Sequence, residues 1–232
     1  MQLSAVLLAR IFFFLETNDL NPRGKAFFPD VIRALVERYR FQKFPQRFED
    51  LDESKGVEFA SGRSGATTID KAVLYAEGIS LDTRESTQRS AEVLEEILTW
   101  ASEHYGLQYR KETVRRKAYV SQVTFVSEGP LLFVNPILKD FGDRISDIVS
   151  QNLRLECKYA PSALLISLDP ESQRFPSGPL SIEHRMGTPF SEGKYFSSAP
   201  VQTDLHLKLL EEFERRMRDE AVLRRPQTPA IR

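Results

Sequence analysis

Residues 57–75, VEFASGRSGATTIDKAVLY, decide between a nucleotide-binding fold and an antiparallel sheet. A glycine-rich loop cradles a phosphate because it leads into a helix, whose N-terminal N–H groups bind the anion. Here Gly62 and Gly65 lead instead into Thr67–Ile69, whose β-branched side chains favour a strand. The segment also lacks the lysine of the phosphate-loop motif. We therefore predict that the stretch between the two glycines closes a β-hairpin, with Arg63 exposed at its tip.

The remaining sequence alternates irregularly between helix and strand patterns. Apolar residues at helical spacing predict four helices, at residues 29–41, 87–105, 135–151 and 203–222. Runs of β-forming residues predict strands at residues 3–16, 56–61, 67–75, 117–127, 153–159, 163–168 and 180–186, and residues 78–83 either continue the third of these past a bulge or form another. This order indicates an α+β fold, in which a mixed, largely antiparallel sheet packs against about four helices. We expect a single domain over residues 1–222 and a frayed tail over residues 223–232.

Local signals define several helix ends and faces. Asn135 and Pro136 suit the N-cap and first position of the third helix, and Gly106 suits the residue that ends the second. The third helix has an apolar face formed by Ile137, Leu138, Phe141, Ile145, Ile148 and Val149. In the last helix three Glu–Arg pairs at i,i+4 spacing, the third being Glu214–Arg218, favour a solvated outer face.

Composition restricts the class of protein more than any motif does. The 232 residues are 41% hydrophobic and 28% charged, which is typical of a globular protein. A net charge of −1 reduces the expectation of nucleic-acid binding. Cys157 is the only cysteine, so an intramolecular disulfide and a cysteine-based zinc cluster are excluded, as suits a reducing cytoplasm. Because Arg10 interrupts the apolar N-terminal run, we predict a strand buried on both faces there, not a signal peptide or membrane span.

Catalytic motifs are weak. Glu156 and Lys158 stand two apart on a predicted strand, so they point to one side, as in metal-dependent nucleases that also use an upstream aspartate. The same Glu-x-Lys spacing recurs twice elsewhere, which weakens the nuclease hypothesis. The three histidines, His104, His184 and His206, show no metal-binding spacing. We expect no cofactor and no metal site.

A basic segment is the feature that best suits an anionic ligand. Its positive charges are Arg110, Lys111, Arg115, Arg116 and Lys117, with Tyr105 and Tyr109 beside them. Such a segment can hold phosphates while a tyrosine stacks on a base. It can also be a solvated connector between a helix and a strand. A nucleic-acid-binding module is therefore one hypothesis for function.

Three phenylalanines in a polar, acidic loop, Phe41, Phe44 and Phe48, suit aromatic anchors at a protein interface, or they tuck under their own loop. Together with the weak catalytic signals, they favour a non-catalytic cytoplasmic interaction and assembly protein. We expect a protein partner or a homo-oligomer, with the chain acting as a subunit or accessory factor of a larger system, for which bacterial defence systems are one class. The metal-dependent nuclease and the nucleic-acid-binding module are the alternatives.

Overall fold

The computed structural model describes residues 1–24, 26–132, 135–172 and 177–223. Within these residues it has the α+β fold that the sequence predicts, with every strand pair of described register antiparallel. The strands are β1 (Gln2–Phe14), β2 (Val57–Ser64), β3 (Thr67–Tyr75), β4 (Gly78–Thr83), β5 (Arg116–Val126), β6 (Ala163–Ile166), β7 (Leu180–His184) and β8 (Lys194–Ala199). The helices are α1 (Thr17–Leu20), α2 (Phe28–Tyr39), α3 (Thr87–Tyr105), α4 (Pro136–Leu153) and α5 (Thr203–Leu223). Most of the tail predicted at residues 223–232 lies outside the described residues.

The chain divides into two compact units. Unit 1 contains Met1–Ala5, Val123–Ala199 and the chain from Leu205 onward, and unit 2 contains Val6–Gln122 and Pro200–Asp204. Strands β1 and β5 therefore have residues in both units. The expectation of a single domain over residues 1–222 stays a prediction.

Unit 2 contains the hairpin that the sequence predicts within residues 57–75. Its strand order is β2-β3-β4-β1-β5, and the β2–β3 hairpin confirms that this stretch turns between two strands, with Gly65 in the turn and Gly62 inside β2, paired to Ile69. The predicted turn position was wrong by about two residues, because β2 continues to Ser64 and Arg63 pairs with Thr68. Gly65 makes the tight turn with a φ of +59°. Residues 78–83 form a strand of their own, with Gly78 paired to Tyr75.

The helices of unit 2 form where local signals predict them. Helix α3 begins after Ser86, whose hydroxyl accepts a 3.1 Å hydrogen bond from the backbone N–H of Arg89. It ends at Gly106, which has a φ of +71° and donates its N–H to the carbonyl of Ser102. The core against α3 comes from alternate residues of the strands, including Ile11, Phe13, Val57, Phe59, Ile69 and Leu81. In β1 burial alternates and is confined to the C-terminal half, so burial on both faces was a wrong prediction.

Unit 1 has the strand order β5-β8-β7-β6. Its buried apolar residues include Val123, Phe125, Ile182, Tyr195 and Leu210. The predicted strand over residues 153–159 is absent, since α4 continues to Leu153 and the chain then runs irregularly to β6. Strand β8 was missed, although the burial of every second residue from Tyr195 to Ala199 follows the period of a strand.

One predicted surface pair of α5 lies inside unit 1. Glu214 is 1% exposed, and its carboxylate accepts hydrogen bonds from the Ser127 hydroxyl, at 2.7 Å, and the Glu128 N–H, at 3.2 Å. The N-terminal amine of Met1 forms an ion pair with the same carboxylate. Burial acts to raise the pKa of Glu214, but these hydrogen bonds and the amine hold it below its usual value. The expectation of a solvated Glu214 was therefore wrong.

Candidate protein-interaction surface

Helix α4 contacts the segment that follows it, residues 157–160, through a stripe of small residues. Gly142, Ser146 and Ser150, four residues apart, lie on one side of the helix. The Ser146 hydroxyl accepts a 2.8 Å hydrogen bond from the N–H of Tyr159, and that of Ser150 accepts a 2.9 Å bond from Cys157. A side chain at Gly142 would come within 3.1 Å of the Tyr159 carbonyl. The small stripe thus fixes α4 on the segment that follows it.

The predicted apolar face of α4 is left largely uncovered. Ile137, Phe141 and Ile148 are 75%, 61% and 51% exposed. Leu138 is half exposed, and only Ile145 and Val149 are partly buried. An amphipathic helix normally turns its apolar stripe to a core, so an exposed stripe is a candidate contact surface.

Strand β6 is a second exposed apolar feature of unit 1. It is the last strand in the order, and its sequence Ala163–Ile166 has no charge, proline or glycine. Leu165 and Ile166 are both more than half exposed. Edge strands are usually protected by charges, prolines or bulges, because their free backbone groups pair readily with another strand. This edge has none of those features within the strand.

The segment between α4 and β6 extends the apolar surface. Leu153, Leu155, Tyr159 and Leu168 all leave more than two fifths of their surface in solvent. We use the name α4–β6 surface for these residues together with the exposed apolar side chains of α4 and β6. Leu165 and Ile166 are adjacent in β6 and point to opposite faces of the sheet, so one partner covers only part of this set.

The basic segment lies in unit 2, and carboxylates already neutralise part of it. Lys117 and Lys111 lie 2.9 Å and 3.6 Å from Glu95, and Arg115 lies 2.9 Å from Glu16. Partial burial acts to raise the pKa of Glu95, but the Lys117 hydrogen bond and both lysine charges hold it below its usual value.

Two basic side chains of this segment also lie over aromatic rings of β1. Arg116 and Lys117 lie over the rings of Phe14 and Phe13, at 4.2 Å and 4.5 Å from the ring centres. Tyr109 packs against the core, and burial with nearby carboxylates raises its pKa to about 12. Arg110 is exposed. Nucleic-acid binding through this segment stays a prediction.

The aromatic loop contributes to the core of unit 2. Phe41 is 5% exposed and its ring lies 5.4 Å from that of Phe59. Phe44 is partly buried and packs against the same core, while the side chain of Phe48 lies outside the described residues. The ring of Phe41 is therefore a core element of unit 2, and a partner that used it would have to open this core.

Glu156 and Lys158 are exposed and lie in the irregular segment after α4, so the strand that was expected to align them is absent. Lys158 borders a cleft of about 260 Å³ with Ser127, His184 and Tyr195. Among the described residues, no group of three or more His, Cys, Asp or Glu side chains is placed to hold a metal ion. The nuclease hypothesis gains no support from this arrangement.

A buried Ser–His pair in unit 1 was not apparent from the sequence. The Ser197 hydroxyl donates to the carbonyl of Ser181 at 2.5 Å and lies 2.9 Å from Nε2 of His206. Because that hydroxyl proton is already donated, Nε2 must donate to the serine oxygen, which is the reverse of nucleophile activation. Burial lowers the pKa of His206 to about 4, so the ring is a neutral core group.

The α4–β6 surface is thus the strongest candidate site, and comparison with known proteins does not change that choice. No protein-family model and no curated protein matches this chain. None of the helices among the described residues is both long and apolar enough to cross a bilayer.

Proposed function

We propose that this chain is a non-catalytic assembly protein, and that it binds a second copy of itself through the α4–β6 surface. The observation that supports this is the exposed apolar stripe of α4, with Ile137, Phe141 and Ile148 in solvent while small residues fix the opposite side.

The chemistry of the surface favours a second copy over an unrelated protein. Two β6 edges can pair antiparallel about a two-fold axis, which places the same strand on both sides of the contact. Arg144 lies on the exposed stripe of α4, between Phe141 and Ile148, and Asp140, Asp143 and Asp147 lie beside the stripe.

The test is the oligomeric state in solution, measured by sedimentation and light scattering over a wide concentration range. We expect the wild-type chain to associate reversibly. The triple variant Ile137→Ser, Phe141→Ser and Ile148→Ser should be monomeric, because it removes the apolar stripe without touching the residues that dock α4.

A matched control places the same three serines on the polar side of α4, as Asp140→Ser, Asp143→Ser and Asp147→Ser. This control should associate like the wild type. Leu165→Lys should weaken association separately, because it adds a charge to the edge strand. The proposal is overturned if the wild-type chain stays monomeric at every concentration. It is also overturned if the polar control dissociates as fully as the apolar variant. If a monomeric wild type instead binds a different purified protein, that protein is the partner and self-association is rejected.

A further inference from the structure

Unit 2 contains a large apolar cavity that the proposed assembly does not use. Its volume is about 640 Å³. The walls come from α2, α3 and the sheet, with Val31, Leu35, Leu94, Leu98, Ala72 and Ile79 among the lining residues. Small-molecule sites usually measure about 300–1,000 Å³ and are lined mainly by apolar side chains. The size and lining of this cavity are those of a ligand site.

Water is a poor occupant of this cavity. A water molecule needs two to four polar partners, and four polar side chains line the cavity, those of Thr17, Asn18, Asn21 and Glu53. The Thr17 hydroxyl donates to the Ala76 carbonyl at 2.6 Å, and the Asn21 amide is engaged by both backbone groups of Ala26 at 2.9 Å. Asn18 and Glu53 form no side-chain hydrogen bond or ion pair with another described residue. Those two groups are available to a ligand.

The positions of Asn18 and Glu53 define which end of a ligand is polar. The Ala76 carbonyl accepts from the Thr17 N–H at 3.1 Å, and the Ala76 N–H donates to the Glu53 carbonyl at 3.3 Å. Glu53 and the residue before Asn18 therefore meet at the same turn, between β3 and β4. A carboxylate there accepts hydrogen bonds and repels an anion.

We infer that the cavity binds a small amphiphile with an apolar body and a hydrogen-bond-donating head that is neutral or positively charged. The apolar walls take the body, and Glu53 with Asn18 receives the head. An amine should therefore bind more tightly than the alcohol of equal chain length, and the carboxylate should bind most weakly. This site lies in unit 2 alone, and it is independent of the assembly surface in unit 1.

The experiment uses the fluorescence of the only tryptophan. Trp100 lies on α3, and its neighbours Ile97, Leu98 and Ala101 line the cavity. A neutral apolar fluorophore, N-phenyl-1-naphthylamine, should bind and emit by energy transfer from Trp100. Decylamine should displace it at a concentration about threefold lower than decanol, as expected for one partly exposed charge pair, and decanoate should be the weakest competitor.

Two pairs of variants distinguish this site from non-specific apolar binding. Ala101→Phe fills the cavity and should weaken probe binding about tenfold, whereas Thr99→Phe, at an exposed position of the same helix outside the lining, should not. Glu53→Gln should abolish the preference for the amine, whereas Glu49→Gln should preserve it. The inference fails if wild type gives no sensitised emission, if Ala101→Phe binds the probe like wild type, or if decanoate competes as well as decylamine.

Discussion

At the scale of single residues, the two glycines of the first hairpin have different physical roles. Gly65 adopts a φ of +59°, and no atom lies within 4 Å of the point that a side-chain carbon would occupy, so only the backbone conformation requires glycine there. Gly65→Ala should lower the free energy of unfolding by about 1 kcal/mol or more. Gly65→Asn should cost less, because asparagine tolerates the left-handed region. Urea unfolding measures both, and Arg63→Ala, an exposed neighbour, should change stability by less than about 0.5 kcal/mol.

Gly62 is required for space, not for conformation. A side-chain carbon at Gly62 would lie 2.5 Å from the ring of Phe41, which is closer than any real contact. Gly62→Ala should therefore destabilise unit 2 by about 1–3 kcal/mol through overpacking. The double variant Gly62→Ala, Phe41→Leu should lose less free energy of unfolding than the sum of the two single variants, because leucine leaves room for the added methyl group. If the two losses measured by urea unfolding simply add, the ring of Phe41 is not the obstacle.

His206 should make stability depend on pH between about 4 and 6.5. Its folded pKa, about 4, lies below its unfolded value, so the unfolded chain binds the proton more readily in that range. The free energy of unfolding should fall as the pH is lowered from 7 to 5, by about 1 kcal/mol per unit once below 6.5. His206→Gln should flatten this dependence, whereas His104→Gln, on an exposed residue, should preserve it. An equal slope in wild type and His206→Gln would contradict the assignment.

At the scale of elements, α3 and α5 cap each other at their first residues. The N–H of Thr87 donates to the Thr203 hydroxyl at 3.0 Å, and the N–H of Thr203 donates to the Thr87 hydroxyl at 2.9 Å. Both residues are buried, so each hydroxyl satisfies a helix N–H that water does not reach.

Either Thr87→Val or Thr203→Val should lower the free energy of unfolding by about 1–3 kcal/mol, because each leaves one buried N–H without an acceptor. Thr68→Val, at an exposed position of β3, is the matched control and should be nearly neutral. A loss below about 0.5 kcal/mol in both buried variants would mean that the paired caps do not stabilise the helix ends.

The elements that could be predicted from the sequence are those whose ends are determined by neighbouring residues along the chain. Asn135 does cap α4, accepting a 2.9 Å hydrogen bond from the Ile137 N–H, and Gly106 does end α3. The strand predicted at residues 153–159 has a β-forming composition. In the structure, the Ser146 and Ser150 hydroxyls of α4 accept hydrogen bonds from the backbone of this segment and determine its path. That contact depends on tertiary packing, which residue spacing does not encode.

The candidate site was only half predictable for the same reason. The period of Ile137, Phe141 and Ile148 identified an apolar face, but a sequence does not say whether a core or solvent lies opposite that face. The available signal was the second stripe, Gly142, Ser146 and Ser150, whose small residues permit close packing on the other side. Conversely, Glu214 has the same i,i+4 spacing to an arginine as the two other Glu–Arg pairs of α5, so the sequence predicts an exposed residue. Its burial depends on Ser127, which is far away in the sequence.

At the scale of the whole molecule, the single-domain expectation can be tested with a fluorescent reporter in one unit and a titrating group in the other. Trp100 is the only tryptophan and lies in unit 2, whereas His206 lies in unit 1. Since β1 and β5 have residues in both units, we expect tryptophan fluorescence and far-UV circular dichroism to follow one urea transition. His206→Gln should then shift the fluorescence midpoint at pH 5 although it lies in the other unit. Two separated transitions would establish two independently folding units.

The discontinuous make-up of unit 1 has a consequence during translation. A ribosome synthesises Val6–Gln122 before Val123–Ala199, and the part of α5 from Leu205 follows both. At about 5–20 residues per second, unit 2 has seconds to collapse while unit 1 is still incomplete. Helix α4 and strand β6 therefore leave the ribosome before the helix that completes their own unit. On a messenger RNA carrying several ribosomes, neighbouring nascent chains would expose these same apolar segments to each other. The proposed association of two copies can then begin before either chain is released.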